Sequence, residues 1–207
     1  VDGTFQNPIS SSVPFTKKNG WTNNNDHPRT LADVNGDGRA DIVGFGNDAV
    51  FTSFASVAPQ GLMATPDKLA QLMNGQLNGR SFNVDKAYGA QCWDLVAYAT
   101  GINSSSPYWN AGTWKRGVSV MATGNIAVGT AIATFLGPNA TYYSNSGNHT
   151  AIFAGYGSEN GVSGFYVWDQ NWGQRHLPLS QRYVQRHFIR SDRWGTSDAD
   201  NYYLIQA

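Results

Sequence analysis

The stretch around which this 207-residue chain is organised is 88-YGAQCWDLVAYATG-101. Apolar residues dominate it from Cys92 onward, and Gly101 follows them as a typical helix stop. Cys92 is the only cysteine of the chain, so it cannot form an internal disulfide. A helix N-terminus stabilises a thiolate through the helix dipole and its unpaired N–H groups. The stretch predicts a helix that begins at Cys92 and carries a candidate nucleophile at its start.

The order of helix and strand patterns predicts an α+β fold. Before the cysteine stretch, Thr65-Pro66-Asp67 is a typical helix start, and that helix is expected to end near Gly75 or Gly79. After it, a loop rich in Ser, Trp and Gly extends to about Gly124. The strand candidates then follow at residues 130–135, 150–156, 164–168, 183–189 and 202–205. Helices that precede an antiparallel sheet are typical of an α+β domain in which the helices pack on the sheet.

Composition excludes several classes of function. The chain has 14 basic and 14 acidic residues, so it lacks the excess positive charge that would hold nucleic acid or an anionic surface. It contains no apolar run of about 18 residues, so we expect no membrane span. The first residue is Val1 rather than methionine, which predicts a secreted protein after removal of a signal peptide. No feature of the sequence indicates an oligomeric state.

The character of the sequence changes near residue 57. Residues 1–56 are polar and rich in Asn, Asp and Gly, and short apolar runs such as Ile42-Val43 and Val50-Phe51 are typical of strands joined by tight turns. Helical patterns begin only after Gly61. We therefore predict a small β segment over residues 1–56 and an α+β domain over residues 57–207.

A histidine and an aspartate that follow the cysteine later in the chain complete a candidate catalytic set. An amide-cleaving thiol needs a base that takes its proton, a group that orients the base, and donors for the developing oxyanion. His149 precedes the apolar run 151–154, and Asp169 follows the run 165–168. In neighbouring antiparallel strands, the start of one strand lies beside the end of the next. We therefore expect His149 and Asp169 to be in contact.

These segments resemble the CHAP family, the cysteine, histidine-dependent amidohydrolases/peptidases of the papain-like, NlpC-type superfamily. The resemblance covers roughly residues 61–207 and is carried by 88-YGAQCWDLVAYATG-101, 149-HTAIFAGY-156 and 167-VWDQNW-172. It implies a papain-like fold and an antibacterial enzyme that cleaves amide bonds of bacterial peptidoglycan. Such an enzyme is either an N-acetylmuramoyl-L-alanine amidase or a peptide-bridge endopeptidase, and its chemistry needs no cofactor.

The resemblance also implies roles for individual residues. Cys92 matches the family nucleophile and His149 the base. Asp169 stands where a glutamate is usual, and Asn171 matches an asparagine often found two positions later. The sequence leaves open which of Asp169 and Asn171 is the main partner of His149. Gln91 is a candidate second oxyanion donor, with capping of the helix as the alternative.

Some residues are interpreted as lying outside the chemistry. His176 and His187 have no motif around them, so we interpret both as ordinary surface or structural residues. The loop from Ser104 to Gly117 is expected to line the substrate groove and to set specificity. The sequence therefore predicts amide cleavage without predicting which bond is cleaved.

An Asp- and Asn-rich loop in the N-terminal segment predicts a calcium site. The stretch 33-DVNGDGRAD-41 places oxygen ligands at alternate positions with glycine at the turn, which suits a hard cation. It is not an EF-hand, because Gly44 occupies the position of the twelfth-residue glutamate. With 42-IVGFG-46, it resembles an FG-GAP/VCBS blade repeat of propeller proteins. That resemblance implies these ligands: the side chains of Asp33, Asn35, Asp37 and Asp41, and the backbone carbonyl of Arg39.

Two further expectations concern calcium. The alternative for the 33–41 loop is an unoccupied turn stabilised by Asn and Asp side chains. A single blade cannot bury its own apolar face, so the segment is expected to pack on the second domain or on another chain. Some CHAP enzymes carry calcium just before the cysteine, and Asn83, Asp85 and Asp94 match those ligand positions. This match is partial, because Asn83 stands where an aspartate is usual.

Two other functions remain as alternatives to peptidoglycan hydrolysis. The first is a cysteine protease that cleaves proteins and is regulated by calcium at the N-terminal segment. The second is a calcium-dependent carbohydrate-binding lectin with a degenerate hydrolase fold. Because the Cys, His and Asp residues are all present, the lectin is the less favoured of the two.

Overall fold

The chain divides into two structural units near the place where its composition changes. The computed structural model describes residues 17, 20–34, 40–47, 50–53, 61–142 and 147–207. Contacts separate the units Val1–Val57 and Ala58–Ala207. Among the described residues, no helix has the length and apolar character needed to cross a membrane.

The first unit contains a small antiparallel sheet. Its strands are β1 (Arg29–Ala32), β2 (Asp41–Phe45) and β3 (Val50–Ser53), hydrogen-bonded in that order. The two apolar runs predicted as strands lie in β2 and β3. Of the predicted calcium ligands, Asn35, Asp37 and Arg39 lie outside the described residues.

The second unit is built on a six-stranded antiparallel sheet. Its strands are β4 (Lys115–Ser119), β5 (Ala131–Thr134), β6 (Thr150–Glu159), β7 (Val162–Gln170), β8 (Val184–Arg190) and β9 (Tyr202–Gln206). Their order across the sheet is β4-β9-β5-β6-β7-β8. The last five of these strands lie where the sequence predicts strands. The central part of the sheet therefore places β6 beside β7, and β7 beside β8.

The helices of this unit are short. They are α1 (Pro66–Met73), α2 (Cys92–Thr100) and α3 (Val120–Thr123). Single 3-10 turns lie at Ala111–Thr113, Pro138–Ala140, Leu179–Gln181, Gly195–Ser197 and Ala199–Asn201. The first helix ends at Met73, slightly before the predicted glycine stops, and the N–H groups of Asn74 and Gly75 bind the carbonyls of Ala70 and Leu72 at its end. The cysteine helix has the predicted bounds, with Gly101 in the left-handed conformation at its end.

Strand β4 and helix α3 were predicted to be part of a loop, and that prediction was wrong. Within the described residues, the strand lies at the edge of the sheet and pairs with β9, with a register shift between Arg116 and Ser119. Its sequence is Lys-Arg-Gly-Val-Ser, and none of these residues is fully buried. An edge strand with polar residues on it has no apolar alternation to detect.

The sheet separates two apolar clusters. One lies between helices α1 and α2 and the sheet and includes Leu72, Leu95, Val96, Ile152 and Trp168. The other lies on the opposite face and includes Phe153, Phe165, Val167, Tyr202 and Leu204. Successive residues of β6 and β7 alternate between the two clusters, as the two-residue period of a strand requires. Burial on both faces fixes the register of these strands, and with it the positions of the residues at their ends.

We expect Gly164→Ala to destabilise this unit, because β7 and β8 are packed closely at that position. A methyl group at residue 164 would overlap the backbone carbonyl oxygen of Ile189, and a carbonyl in a paired strand cannot move aside as a side chain can. The expected loss in the free energy of unfolding is about 1–3 kcal/mol. Urea unfolding measures it, with the exposed neighbouring change Ser163→Ala as the control. Equal stability of the two variants would contradict the close packing.

Candidate active site

Cys92 lies at the first turn of α2, and its surroundings are held by the backbone around it. It is the first helical residue and is nearly buried, with 9% of its surface exposed. The carboxylate of Asp94 accepts hydrogen bonds from the N–H groups of Gln91 at 2.9 Å and Val84 at 2.6 Å. These bonds tie the segment before the helix to its first turn. The first N–H groups of a helix have no intrahelical acceptor, so that of Cys92 is placed to bind a negative oxygen.

His149 and Asp169 are in contact at the ends of adjacent strands. His149 immediately precedes β6, Asp169 is the penultimate residue of β7, and the two strands are antiparallel. His149 Nε2 lies 2.8 Å from Asp169 Oδ2. Both side chains are buried, and Asp169 has no exposed surface. The contact expected from the strand order is therefore present.

The Cys92 thiol and the His149 ring interact as an acid and a base. Burial raises the pKa of the thiol, but the charge of His149 and hydrogen bonds with His149 and Thr150 outweigh burial, and the pKa falls from 9.0 to about 7. Burial lowers the pKa of His149, but the charge of Cys92 and the hydrogen bond with Asp169 raise it from 6.5 to about 10. A base with the higher pKa takes the proton. The pair is therefore a thiolate and an imidazolium near neutral pH.

The structure separates the roles that the sequence left open between Asp169 and Asn171. Asp169 contacts His149, whereas Asn171 Nδ2 donates to Gln91 Oε1 at 3.1 Å. The guanidinium of Arg182 donates to Asn171 Oδ1. Asn171 therefore holds the residue before the cysteine, and Asp169 holds the histidine.

Gln91 and Gln170 connect the cysteine side of the site to the end of β7. Gln91 Nε2 donates to the carbonyl of Tyr88 at 3.1 Å, so one of its N–H groups is already used within the protein. Gln170 is fully buried, and its Nε2 donates to the carbonyls of Gln91 at 2.9 Å and Phe82 at 2.8 Å. Its Oε1 accepts the N–H of Phe82 at 2.8 Å. Three consecutive residues, 169 to 171, thus hold both halves of the site.

Sequence reasoning missed His187, which was interpreted as an ordinary surface or structural residue. His187 Nε2 lies 2.7 Å from Asp169 Oδ2, the same oxygen that contacts His149. His187 is opposite Val167 in the pairing of β7 with β8, and Gln185 is opposite Asp169. Directly opposed residues share a face of the sheet, so His187 lies on the Asp169 face. Side chains alternate between the two faces of a strand, so the sequence could have placed His187 on this face if the pairing of β7 with β8 had been known. His176 is exposed and lies in a turn after β7.

Two aromatic residues of the site were also missed. Trp172 lies against both histidines, with its ring centroid 5.0 Å from that of His149 and 5.1 Å from that of His187. Tyr142 is buried, and burial, the charge of Cys92 and a hydrogen bond with Cys92 raise its pKa well above 10.0, so it keeps its proton. Trp172 is the last residue of the motif 167-VWDQNW-172. Tyr142 has no sequence signal, because only folding brings it to the cysteine.

The possible cation ligands are described only in part. Asp94 uses both carboxylate oxygens as backbone acceptors, and Asp85 Oδ1 accepts the N–H of Ala87 at 2.8 Å. Through these bonds the Asp94 carboxylate caps the start of α2, and the Asp85 carboxylate stabilises a turn. Across the described parts of the chain, no group of three or more His, Cys, Asp or Glu residues is arranged to hold a metal. The site formed by Asn83, Asp85 and Asp94 stays a prediction.

A family model and a sequence relative agree with an amide-cleaving site. A family model described as domesticated amidase effector 2 matches residues 67–205. A type VI secretion amidase effector 2 protein of Salmonella typhi is 33% identical over 126 residues, which cover 56% of this chain and 84% of the relative. A solved structure of a type 6 secretion amidase effector 2 is 25% identical with a TM-score of 0.47, and covers 69% of this chain and 93% of that one. The family match begins after the N-terminal unit, so the resemblance of that unit to a blade repeat stays a prediction.

The thiolate–imidazolium pair predicts an unusual pH dependence of alkylation. We expect the rate at which iodoacetamide alkylates Cys92 to rise with a midpoint near pH 7. In His149→Ala, burial is no longer opposed by the imidazolium charge, so the midpoint should move above 9.0. The rate at pH 7 should fall roughly 100-fold for a shift of two units. Exposed His176→Ala is the control and should keep the wild-type profile. An unchanged profile in His149→Ala would contradict the pairing.

Proposed function

The chain belongs to the domesticated amidase effector 2 family, and on that premise we propose that it hydrolyses amide bonds of bacterial peptidoglycan with Cys92 as its nucleophile. The observation that carries this proposal is the set of contacts among Cys92, His149 and Asp169 at the start of α2. The family and its relatives are named as amidase effectors, so they supply the reaction class. The geometry supports Cys92, His149 and Asp169 as the residues that perform it.

The first half of the reaction forms an acyl-enzyme. The Cys92 thiolate attacks the amide carbonyl carbon, and the carbonyl electrons move onto oxygen to give a tetrahedral oxyanion. The N–H of Cys92 at the start of α2 faces that oxygen, and the positive end of the helix dipole adds to the stabilisation. His149 donates its Nδ1 proton to the leaving nitrogen, because its Nε2 is committed to Asp169. The C–N bond breaks, leaving a thioester and a free amine.

The second half regenerates the enzyme. Neutral His149 now takes a proton from water through Nδ1, and the resulting hydroxide attacks the thioester carbon. A second oxyanion forms in the same place and collapses with loss of the Cys92 thiolate. The product is a carboxylate, and His149 again carries a proton beside the thiolate. Asp169 keeps its charge throughout, because hydrogen bonds from His149 and His187 outweigh the effect of burial and hold its pKa below 3.8.

Three finer features belong to the same proposal. The second N–H of the Gln91 side chain is a candidate second oxyanion donor, since its first N–H is bonded to Tyr88. The chemistry and chain order of the site are those of the papain-like, CHAP-type hydrolases. As an effector of the kind that its relatives are named for, the protein would be exported and act on the walls of other bacteria.

We expect Cys92→Ala to abolish peptidoglycan hydrolysis. Removal of the nucleophile should lower kcat/KM by roughly 10,000-fold or more while leaving the thermal unfolding curve unchanged. Mass spectrometry of products from purified peptidoglycan measures the reaction, because cleavage of an amide leaves one new amine and one new carboxylate. The position of these new ends identifies the bond and so distinguishes an amidase from an endopeptidase. His176→Ala serves as the matched control.

Two other outcomes would replace this proposal, and a third would replace its nucleophile. Cleavage of casein with no release of peptidoglycan fragments would indicate a protein-cleaving protease. Glycan binding that survives Cys92→Ala, with no hydrolysis of either substrate, would indicate a lectin. Full activity of Cys92→Ala on peptidoglycan would show that another group performs the chemistry.

We also propose that the 33–41 loop of the first unit binds calcium. Asp41 is fully buried, and its Oδ2 accepts the N–H of Val34 at 3.0 Å, so this carboxylate is held at one end of the loop. Asp33 at the other end is exposed. Both residue types supply the oxygen ligands that calcium prefers.

A calcium-bound loop should stabilise the folded protein. A ligand at about 100 times its Kd adds about 2.7 kcal/mol to the free energy of unfolding. We therefore expect calcium chloride to raise Tm after treatment with EDTA, and Asp33→Asn to reduce that rise. Magnesium chloride at the same concentration is the control, because magnesium prefers a smaller octahedral site. Identical melting curves with calcium and with EDTA would show that the 33–41 loop does not bind calcium.

A further inference from the structure

One carboxylate oxygen in the site is shared by two imidazoles. Asp169 Oδ2 lies 2.8 Å from His149 Nε2 and 2.7 Å from His187 Nε2. Asp169 has no exposed surface, so its charge must be compensated within the protein. A carboxylate only accepts hydrogen bonds, which requires a proton on Nε2 of both histidines. In neutral His149, the remaining lone pair is therefore on Nδ1, the nitrogen that serves as base toward Cys92.

Strand β8 supplies donors to both oxygens of this carboxylate. His187 contacts Oδ2, and Gln185 Nε2 lies 3.5 Å from Oδ1 while donating to the carbonyl of Trp172 at 2.8 Å. His187 is itself held in place, because its ring stacks on Trp172 with an interplanar angle of 20°. Its Nδ1 lies 3.4 Å from the backbone carbonyl of Phe188. Three neighbours thus hold the His187 ring in place, and the contact with Asp169 requires the proton on its Nε2.

We propose that His187 is a positioning residue of the Cys92–His149 pair, acting through Asp169. The inference rests on the proposed function and extends it to a residue that touches neither thiol nor substrate in the mechanism above. Without His187, Asp169 would keep one short hydrogen bond, from His149, and one long contact, from Gln185. The hydrogen bond from His187 lowers the pKa of this buried carboxyl, so its loss raises that pKa and leaves the group free to turn; an Asp169 that takes up a proton or turns away no longer stabilises the imidazolium. The consequence is a less stable thiolate–imidazolium pair.

The charged groups around His187 do not substitute for this contact. Asp169 faces it from β7, and His149 faces the same oxygen from the start of β6. On β8 itself, the neighbouring Arg186 lies 4.1 Å from the centre of the Tyr166 ring. Arg190 is paired with Asp192 at 2.8 Å. The link from His187 to the catalytic pair therefore passes through Asp169.

Loss of His187 should narrow the pH range in which the Cys92 thiolate and the His149 imidazolium exist together. We expect His187→Ala to move the acid limb of Cys92 alkylation upward by about one unit, which is a roughly tenfold lower rate on that limb. On peptidoglycan, kcat should fall roughly tenfold with little change in KM, and the alkaline limb should move to lower pH. His187→Gln should recover most of the wild-type behaviour, because its amide N–H reaches about where Nε2 lies. His176→Ala should show none of these changes.

Each outcome of this experiment is decisive. A wild-type alkylation profile and kcat in a folded His187→Ala variant would overturn the proposal, and so would a change in KM alone, which would indicate substrate binding. If His187→Ala does not fold, nitrogen NMR of the wild-type histidines tests the same arrangement, and an unprotonated Nε2 on His187 would overturn it. Alkylation needs no substrate. A shifted profile in an enzyme that does not cleave peptidoglycan would therefore refute the proposed function and leave this inference standing.

Discussion

The buried carboxylate of Asp169 is the constraint on which the site depends. It has no exposed surface, and a buried charge without partners is strongly unfavourable. Its three partners come from two places in the chain: His149 before β6, and His187 and Gln185 on β8. These contacts require β6, β7 and β8 to be adjacent and in one register. The same contacts set the tautomer of His149, so the hydrogen bonds that compensate the buried charge also leave Nδ1 free for the role of base proposed for it.

The end of β7 also holds the cysteine half of the site. Gln170 and Asn171 bind the backbone and side chain of Gln91, the residue before the nucleophile. The pleat of a strand points consecutive residues to opposite sides, which lets Asp169 contact the histidines while Gln170 contacts the segment leading to α2. The thiol and the base are therefore positioned from one short segment. A rigid common support of this kind keeps the reacting groups in productive geometry.

How well the sequence predicted a feature depended on how far apart in the chain the residues that form it lie. The start of α2 at Cys92 and its end at Gly101 follow from local patterns, and the sequence identified both. The contact of His149 with Asp169 followed from a general rule about antiparallel neighbours. Strand β4 carried no apolar alternation and was missed. The sequence resemblance indicated an amidohydrolase, and the family match is to amidase effectors.

The sequence by itself identified Cys92 as a candidate nucleophile, the helix that begins there, strands β5 to β9 and an amide-cleaving class of chemistry, because each of these is encoded by residues close together in the chain. Tertiary structure decided that Asp169 contacts His149 while Asn171 contacts Gln91. It also brought His187 and Tyr142 to the site. Those contacts depend on which strands become neighbours and on where the segment that carries Tyr142 packs. The pairing of β7 with β8 is set by burial on both faces of the sheet, a property of the packed molecule that no local segment contains.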